Sequence, residues 1–483
     1  MDLLVPKRLP LKAAALLLFA LTGAAAAIQP ALLLAFSLGA AVFAVLFFRL
    51  GLPRLLLLGV SAVVVLPPSN FWPPSLTVGP LNPLNLTVFA AFALALLYKA
   101  KDEPGSARKA PFFSLFAVFL LAVLVSAFAA EYPSATLYQT FRFVTGSLLV
   151  YTAMHYLLTD GKRLEFVIDA AAFCFSVMSA LAVVEYLLED NFIFHTLLHQ
   201  PMPNLTFYRV YRAYSTTALP NVLACLNVTL LPLLVYRMRR GVRPLQKWLY
   251  GSAFVLQLAS LYCTMSRTSW LALALIALLY LAFRRNKLRT LSIVAAAALF
   301  VWGFVLPAIQ GTAAAEKLSL RLSPEQVVDT GSYWHRMYKF KSAVLILKHS
   351  PYIGIGFGNY PLVSGESRYL DSGDPNALNT FDNTYLKMVS ETGLVGLSLF
   401  LLLIGAVTWS VARGFLRGRG HYRLLCGAVL LAIIAFLLIS AVLETFWWNS
   451  LNIWFWTLAV IGMKASGLAR EEAATAAKPS TAP

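Results

Sequence analysis

Charge is what this chain has least of: Asp, Glu, Lys and Arg make up only 12% of its 483 residues. A soluble chain carries about twice that fraction, so a water-soluble globular protein is excluded. Acidic residues are the scarcer half, 21 against 39 Lys and Arg, which leaves a formal charge of +18. Cysteine is nearly absent as well. Cys174, Cys225, Cys263 and Cys426 all fall in apolar runs, with no CxxC and no metal-ligand spacing. That pattern argues against a disulfide framework or a zinc site and fits small buried side chains.

What the chain has is apolar length: 59% hydrophobic residues and a mean hydropathy of +0.72. Apolar runs long enough to cross about 30 Å of hydrocarbon recur almost throughout. They are Leu11–Ile28, Ala31–Phe48, Arg54–Leu66, Leu81–Tyr98, Phe112–Ala130, Leu137–Leu157, Leu164–Leu187, Ala218–Tyr236, Leu249–Tyr262, Ser269–Phe283, Leu291–Ala308, Leu394–Val411, Leu424–Val442 and Leu451–Ile461. The third, ninth and fourteenth are short. The expected fold is therefore all-α: a polytopic integral membrane protein of about 12–14 transmembrane helices with one large extracytoplasmic loop. Residues 1–308 would hold the first eleven spans, 309–390 the loop, 391–464 the last three spans and 465–483 a disordered cytoplasmic tail. The first span, behind Lys7, Arg8 and Lys12 and ending in small residues, has the look of a signal peptide. An uncleaved signal-anchor is expected, because the basic pattern starts in phase with it.

The positive charge is not spread evenly. It sits in every second connection, among them Lys99 to Lys109, Lys162-Arg163, Arg237 to Lys247, Arg284 to Arg289 and Arg413 to Arg423, while the connections between are nearly free of it. This is the positive-inside signature, with both termini cytoplasmic, and it removes the case for a nucleic-acid partner. The loop from Ile309 to Glu391 then lies outside. Within it Trp334, Met337, Tyr338, Lys341, Val344, Leu345 and Lys348 recur at helical spacing, so Ser332–His349 reads as an amphipathic helix on the membrane. His349-Ser350-Pro351 ends it, and Gly354-Ile-Gly356-Phe-Gly358-Asn359 follows as a flexible turn whose spacing does not suit a nucleotide.

Polar residues at a membrane boundary are costly unless they meet something polar. Arg212, Arg267 and Arg336 sit at the outer ends of spans or on the loop helix, where positive charge is otherwise scarce. Their rigid forks suit phosphate oxygens, whether of a substrate or of lipid headgroups. Arg142 lies inside the sixth span, either functional or paired with an acid such as Glu185 or Glu444. His335, beside Arg336, is a candidate base or a surface residue. Asp382 is the best candidate general base, and it equally fits the N-cap of the helix that follows. Asn383 and Glu391 flank it, the latter as an interfacial or structural acid.

Taken in order, several pieces resemble the O-antigen ligase/polymerase superfamily. They are Arg212 with Pro220-Asn221, then Ser266-Arg267-Thr-Ser-Trp270, then Arg336 on a helix running to Pro351-Tyr-Ile-Gly354-Ile-Gly356-Phe-Gly-Asn359, then Asp382-Asn383 before Gly393-Leu-Val-Gly396. In lipopolysaccharide ligases of that superfamily a histidine, thought to be the base, stands where this chain has Asp382. The resemblance implies a bacterial inner-membrane glycosyltransferase with its active site on the extracytoplasmic face. Such an enzyme moves a glycan from a polyprenyl-pyrophosphate carrier to a sugar hydroxyl with inversion. Asp382 would be the base and Arg212, Arg267 and Arg336 the pyrophosphate ligands, with no metal or cofactor required. Polymerisation of surface or exopolysaccharide repeat units is the expected outcome. Transfer to lipid A-core or another acceptor is the alternative, and a glycolipid flippase a more distant one. Expected partners are the lipid-linked donor, a glycan or lipid acceptor, membrane lipids and other polysaccharide assembly proteins.

Overall fold

The computed structural model describes residues 51–66, 88–89, 92–93, 95–96, 110–197, 211–241, 243–282, 332–363 and 381–477. Among these residues the chain is all-α, with 13 helices and no strands. The expected spans at Leu11–Ile28, Ala31–Phe48 and Leu291–Ala308, most of Leu81–Tyr98, and the side chain of His335 lie outside the described residues. The chain divides into two compact units, Met1–Leu57 and Leu58–Pro483. The first contributes only the opening turns of α1 (Leu52–Val65), and the second holds the rest.

α2 (Phe113–Val125) closes in a 3₁₀ turn at Ser126–Ala129. α3 (Pro133–Val144) passes through a π turn at Thr145–Leu149 into α4 (Val150–Leu157). α5 (Gly161–Leu188), α6 (Pro220–Arg240), α7 (Pro244–Cys263) and α8 (Arg267–Ala282) follow. In the loop interval stand α9 (Ser332–His349) and the single-turn α10 (Tyr360–Val363). The chain closes with α11 (Thr384–Arg417), α12 (Gly420–Ser440) and α13 (Asn449–Ala477). Local chemistry sets the starts. Asp160 caps α5 by accepting from the Arg163 backbone N–H at 2.8 Å, and proline opens α3, α6 and α7, where a missing N–H costs nothing.

Four of these helices, α5, α6, α11 and α12, are long and apolar enough to cross a membrane. α1, α2 with its 3₁₀ turn and α8 are shorter apolar helices. α13 continues as helix to Ala477, so residues 465–477 are helical where the sequence suggests a disordered tail. Its stretch beyond the apolar run is rich in alanine, a strong helix former.

α6 packs on α7 and α12, and α13 on α11 and α12. Lipid tails are as apolar as leucine, so close approach and internal polar bonds carry such contacts. A Cβ on Gly414 of α11 would lie 2.6 Å from Ser466 of α13, and one on Gly462 2.6 Å from Val411. Buried Ser179 donates to Gln257 at 3.0 Å, Asn227 to Ser260 at 2.9 Å, and the Trp454 indole to Thr229 at 2.8 Å. Leu121, Phe173, Leu271 and Leu278 are exposed, as side chains facing lipid should be. α6 starts beside the polar loop at 211–219 and ends in Arg237, Arg239 and Arg240. α11 likewise starts at Asn383 and ends at Arg417. The basic turns and the candidate site thus occupy opposite ends of the same helices, about 30 Å apart along α6.

Candidate active site

The site is built on a break in α11. Gly393 has φ 66° and ψ −171°, so a short helix from Thr384 ends there before the membrane-length helix begins. A broken helix in a bilayer must satisfy its freed backbone groups within the protein. Residues 351–358 do this. Leu394 N–H donates to the Pro351 carbonyl at 2.9 Å, and the Ile355 and Gly356 N–H groups donate to the Ser390 and Glu391 carbonyls at 3.0 Å each. The fully buried Glu391 carboxylate accepts from Gly358 N–H at 2.8 Å and Tyr360 N–H at 3.4 Å. The contact is too close for side chains: a Cβ on Gly393 would sit 2.2 Å from the Tyr352 carbonyl. The glycine turn is therefore seated, not flexible as the sequence suggested. Asn359 ties its far side down, donating to Thr136 at 2.7 Å and accepting from Tyr132 N–H at 2.9 Å. Phe357 joins the aromatic column of the bundle, 5.7 Å from Phe143 and 5.3 Å from Trp447 between ring centroids. Glu391 thus holds the turn against the break.

α9 docks on the start of α11 through one apolar cluster: Ala343, Ile346, Ile355, Tyr360, Val363 and Phe381, with Leu386 packed against it. The Tyr360 and Phe381 rings meet at a tilt of 33° with centroids 3.8 Å apart. The opposite side of α9, with Phe340, Lys341, Val344 and Lys348, stays exposed. This docking brings Lys339, itself buried, to Asp382, with Nζ 2.8 Å from Oδ2. Asp382 is 41% exposed. It is not the helix cap. Asn383 caps α11, its Oδ1 accepting from Tyr385 N–H at 2.8 Å and Leu386 N–H at 3.0 Å while its Nδ2 donates to the Ala441 carbonyl at 2.7 Å. Asp382 is left for other work.

The arginines stand before α6, at the start of α8 and in the first half of α9. Arg267 opens α8 after a tight turn at Met265, and its Nη1 is buried with no hydrogen-bond acceptor among the described residues. Partial burial, and then the charge of Arg336, push its pKa down from the ordinary guanidinium value. Arg336 is exposed on α9, one turn before Lys339. Arg212 is committed in part to structure, donating to the Thr264 carbonyl at 2.9 Å and to Asn221 Oδ1 at 2.8 Å. It thereby fixes the turn that presents Arg267. Its own loop is held by buried Glu185, which accepts from Tyr211 Oη and Tyr214 N–H at 3.0 Å and from Ser215 N–H at 2.6 Å. Glu185 is therefore engaged with that loop, and sequence reasoning weighed it only as a partner for Arg142.

A second, buried charge cluster lies beside the start of α11. Lys387 Nζ pairs with Glu444 at 2.5 Å, both nearly inaccessible, and lies 4.8 Å from the centre of the Trp447 ring. Glu444 also acts electrostatically on Arg142, whose Nη1 reaches Gln139 at 3.5 Å and whose Nε is buried without an acceptor among the described residues. Sequence reasoning missed Lys339 and Lys387. The spacing of Lys339 three residues after Arg336 was the available signal, because it puts both on adjacent turns of one face. Along α8 below Arg267, residues Leu273, Ile276, Ala277 and Tyr280 face Leu231 of α6 and Leu431 of α12 across an apolar groove of about 320 Å³.

A helical membrane protein with Arg267, Arg336 and Lys339 at one end, a half-exposed carboxylate paired to the lysine and an apolar groove farther along α8 is suited to an anionic substrate with a lipid tail. Residues 252–401 match the model of the O-antigen ligase family. That segment includes Arg267, Arg336, Lys339, Asp382, Asn383 and the Gly393 break, and it supports the O-antigen ligase/polymerase superfamily that the motifs resemble. Arg142, Arg212 and Glu444 fall outside it. No curated protein matches the chain.

Proposed function

We propose that the protein transfers a glycan from a polyprenyl-pyrophosphate carrier to a sugar hydroxyl with inversion, polymerising surface or exopolysaccharide repeat units. The observation that carries this reading is the buried Nη1 of Arg267, which has no acceptor among the described residues, together with Arg336 one helical turn from the Lys339 that pairs with Asp382. A desolvated guanidinium nitrogen with nothing to bind is costly unless a ligand oxygen completes it.

Outside the cytoplasm neither ATP nor a nucleotide sugar is at hand, so the activated bond arrives on a lipid. The pyrophosphate rests on Arg267 and Arg336, and Arg212 holds the turn beneath it. The isoprenoid chain descends along α8 into the groove, which begins near Leu273, about 9 Å below Arg267. Asp382 accepts the proton of the acceptor hydroxyl as that oxygen bonds to the anomeric carbon from the opposite side. The bond from that carbon to the phosphate oxygen breaks, and the pyrophosphate leaves with the electron pair. The guanidiniums meet the charge that develops on it, where preorganised donors contribute most.

The family name favours a second reading, transfer of the finished glycan to a separate acceptor, whereas a carboxylate where the resembling ligases place histidine favours polymerisation. The purified protein in lipid nanodiscs, given a synthetic lipid-pyrophosphate-linked repeat unit alone, tests this. A ladder of longer lipid-linked products supports a polymerase. Product only when a separate acceptor is added supports a ligase, and no transfer under either condition overturns both.

A further inference from the structure

We propose that Lys339 is a further ligand for the donor's pyrophosphate, held in reserve on Asp382 until the donor binds. The inference rests on the lipid-pyrophosphate reading and deepens it. Lys339 is an unusual place for a cation: its side chain is 9% exposed, and its ammonium meets Asp382 Oδ2 at 2.8 Å. The docking cluster of Ala343, Ile346, Tyr360 and Phe381 fixes α9 on α11 independently of the ion pair. The stem is therefore anchored while the head can choose its partner. Arg336 stands one turn earlier on the same helix, with Cβ atoms about 5–6 Å apart at that spacing. The charge of Arg336 also helps, after burial, to lower the Arg267 pKa. An anion bound between the two guanidiniums lies within the sweep of a lysine, whose flexible stem carries a point charge that needs no fixed fork.

The exchange has a direction. Asp382 is two-fifths exposed, so its hold on the ammonium is weakened by water, as for surface pairs. A pyrophosphate diester carries more negative charge than one carboxylate and presents it beside two guanidiniums. Lys339 moves to the phosphate, and Asp382 Oδ2 is released to receive the acceptor's proton. Without donor the carboxylate stays engaged.

Binding of unglycosylated undecaprenyl pyrophosphate to the full chain in nanodiscs tests this, with undecaprenyl monophosphate as the control. Lys339→Gln should weaken pyrophosphate binding about tenfold or more, the range for a charged hydrogen bond, and Lys339→Arg should restore most of it. Asp382→Asn should tighten binding about threefold or more, because it frees the ammonium. The double variant should lose that gain. A lysine that merely braces α9 predicts the opposite for Asp382→Asn: unchanged or weaker binding, a result that overturns the proposal. Wild-type binding in Lys339→Gln overturns it equally. Arg267→Ala and Arg336→Ala separate the two levels. If both weaken binding and the Asp382→Asn gain is absent, only the role of Lys339 fails. If neither matters, the donor reading fails and this proposal with it.

Discussion

Replacing Asp382 by Asn separates chemistry from architecture. The sequence leaves Asp382 two roles, base and helix cap, and the structure assigns the cap to Asn383, whose side chain holds Tyr385 and Leu386 N–H. Asp382→Asn therefore leaves the start of α11 intact. What the folded state loses is the ion pair with Lys339; although the lysine is buried, water reaches the 41% exposed Asp382 side and Asn keeps an oxygen for the ammonium, which holds the loss to about 1 kcal/mol. Loss of a general base slows a reaction by about 10²–10⁴-fold, or about 2.7–5.4 kcal/mol of barrier. The kinetic effect should exceed the stability effect by several fold. In nanodiscs, Asp382→Asn should keep its melting temperature within a few degrees and show saturable donor binding, while turnover of lipid-linked repeat units falls at least about a hundredfold. Asp382→His, which installs the residue of the resembling ligases, should recover part of that turnover near neutral pH. Wild-type turnover in Asp382→Asn would refute the assignment of the base.

Other perturbations address the rest of the site. Arg267→Lys keeps the charge but loses the planar fork, so donor turnover should fall sharply at unchanged expression; full activity in both Arg267→Lys and Arg336→Ala would leave them as lipid-headgroup contacts. Lys387→Gln and Glu444→Gln should each destabilise the protein by about 3–5 kcal/mol in thermal unfolding, because each leaves a buried charge alone, and the double variant should regain much of it; additive losses would argue against a coupled pair. Asn383→Ala should cost about 1 kcal/mol and lower turnover by displacing Asp382, whereas Asn383→Ser, another capping residue, should restore both; indifference to Asn383→Ala would mean that the cap does not position the carboxylate. All four native cysteines are buried, so single cysteines at Arg243, Arg417 and Lys348 can be labelled cleanly. The first two should react only from the cytoplasmic side and the third only from outside, and reaction of Lys348→Cys from the cytoplasm would place the site on the wrong face.

Much of the bundle was legible because its signals are local. Runs of apolar residues, Pro220 and Pro244 at helix starts and the Asp160 cap each act within a few residues of the position they set. The helix Ser332–His349 was readable for the same reason, from its spacing and its proline stop. Its docked face was not. The residues with clear helical periodicity, such as Lys341, Val344 and Lys348, remain on the exposed side, and the buried side carries Lys339, Ser342, Ala343 and Ile346. Periodicity finds a helix but does not say which face meets protein when a membrane offers a second apolar surroundings. Pairings across long separations, such as Lys339 with Asp382 or Glu391 with Gly358, leave no trace in a single sequence.

The glycine turn joins those two kinds of information. Taken alone, Gly354, Gly356 and Gly358 suggest freedom, yet each has positive φ and faces atoms that leave no room for a Cβ. Small residues at a membrane boundary have two uses, mobility and close approach, and only the partner decides between them. Here the partner is the break at Gly393, which needs backbone groups from outside its own helix. The turn supplies them, and by doing so it sets the height at which α10 and Phe381 receive α9. Asp382 and Lys339 meet because that docking is fixed. The carboxylate's position thus follows from an interrupted helix three turns away, and a substitution that restores regular helix at Gly393, such as Gly393→Ala, should disturb the site more than it disturbs the span.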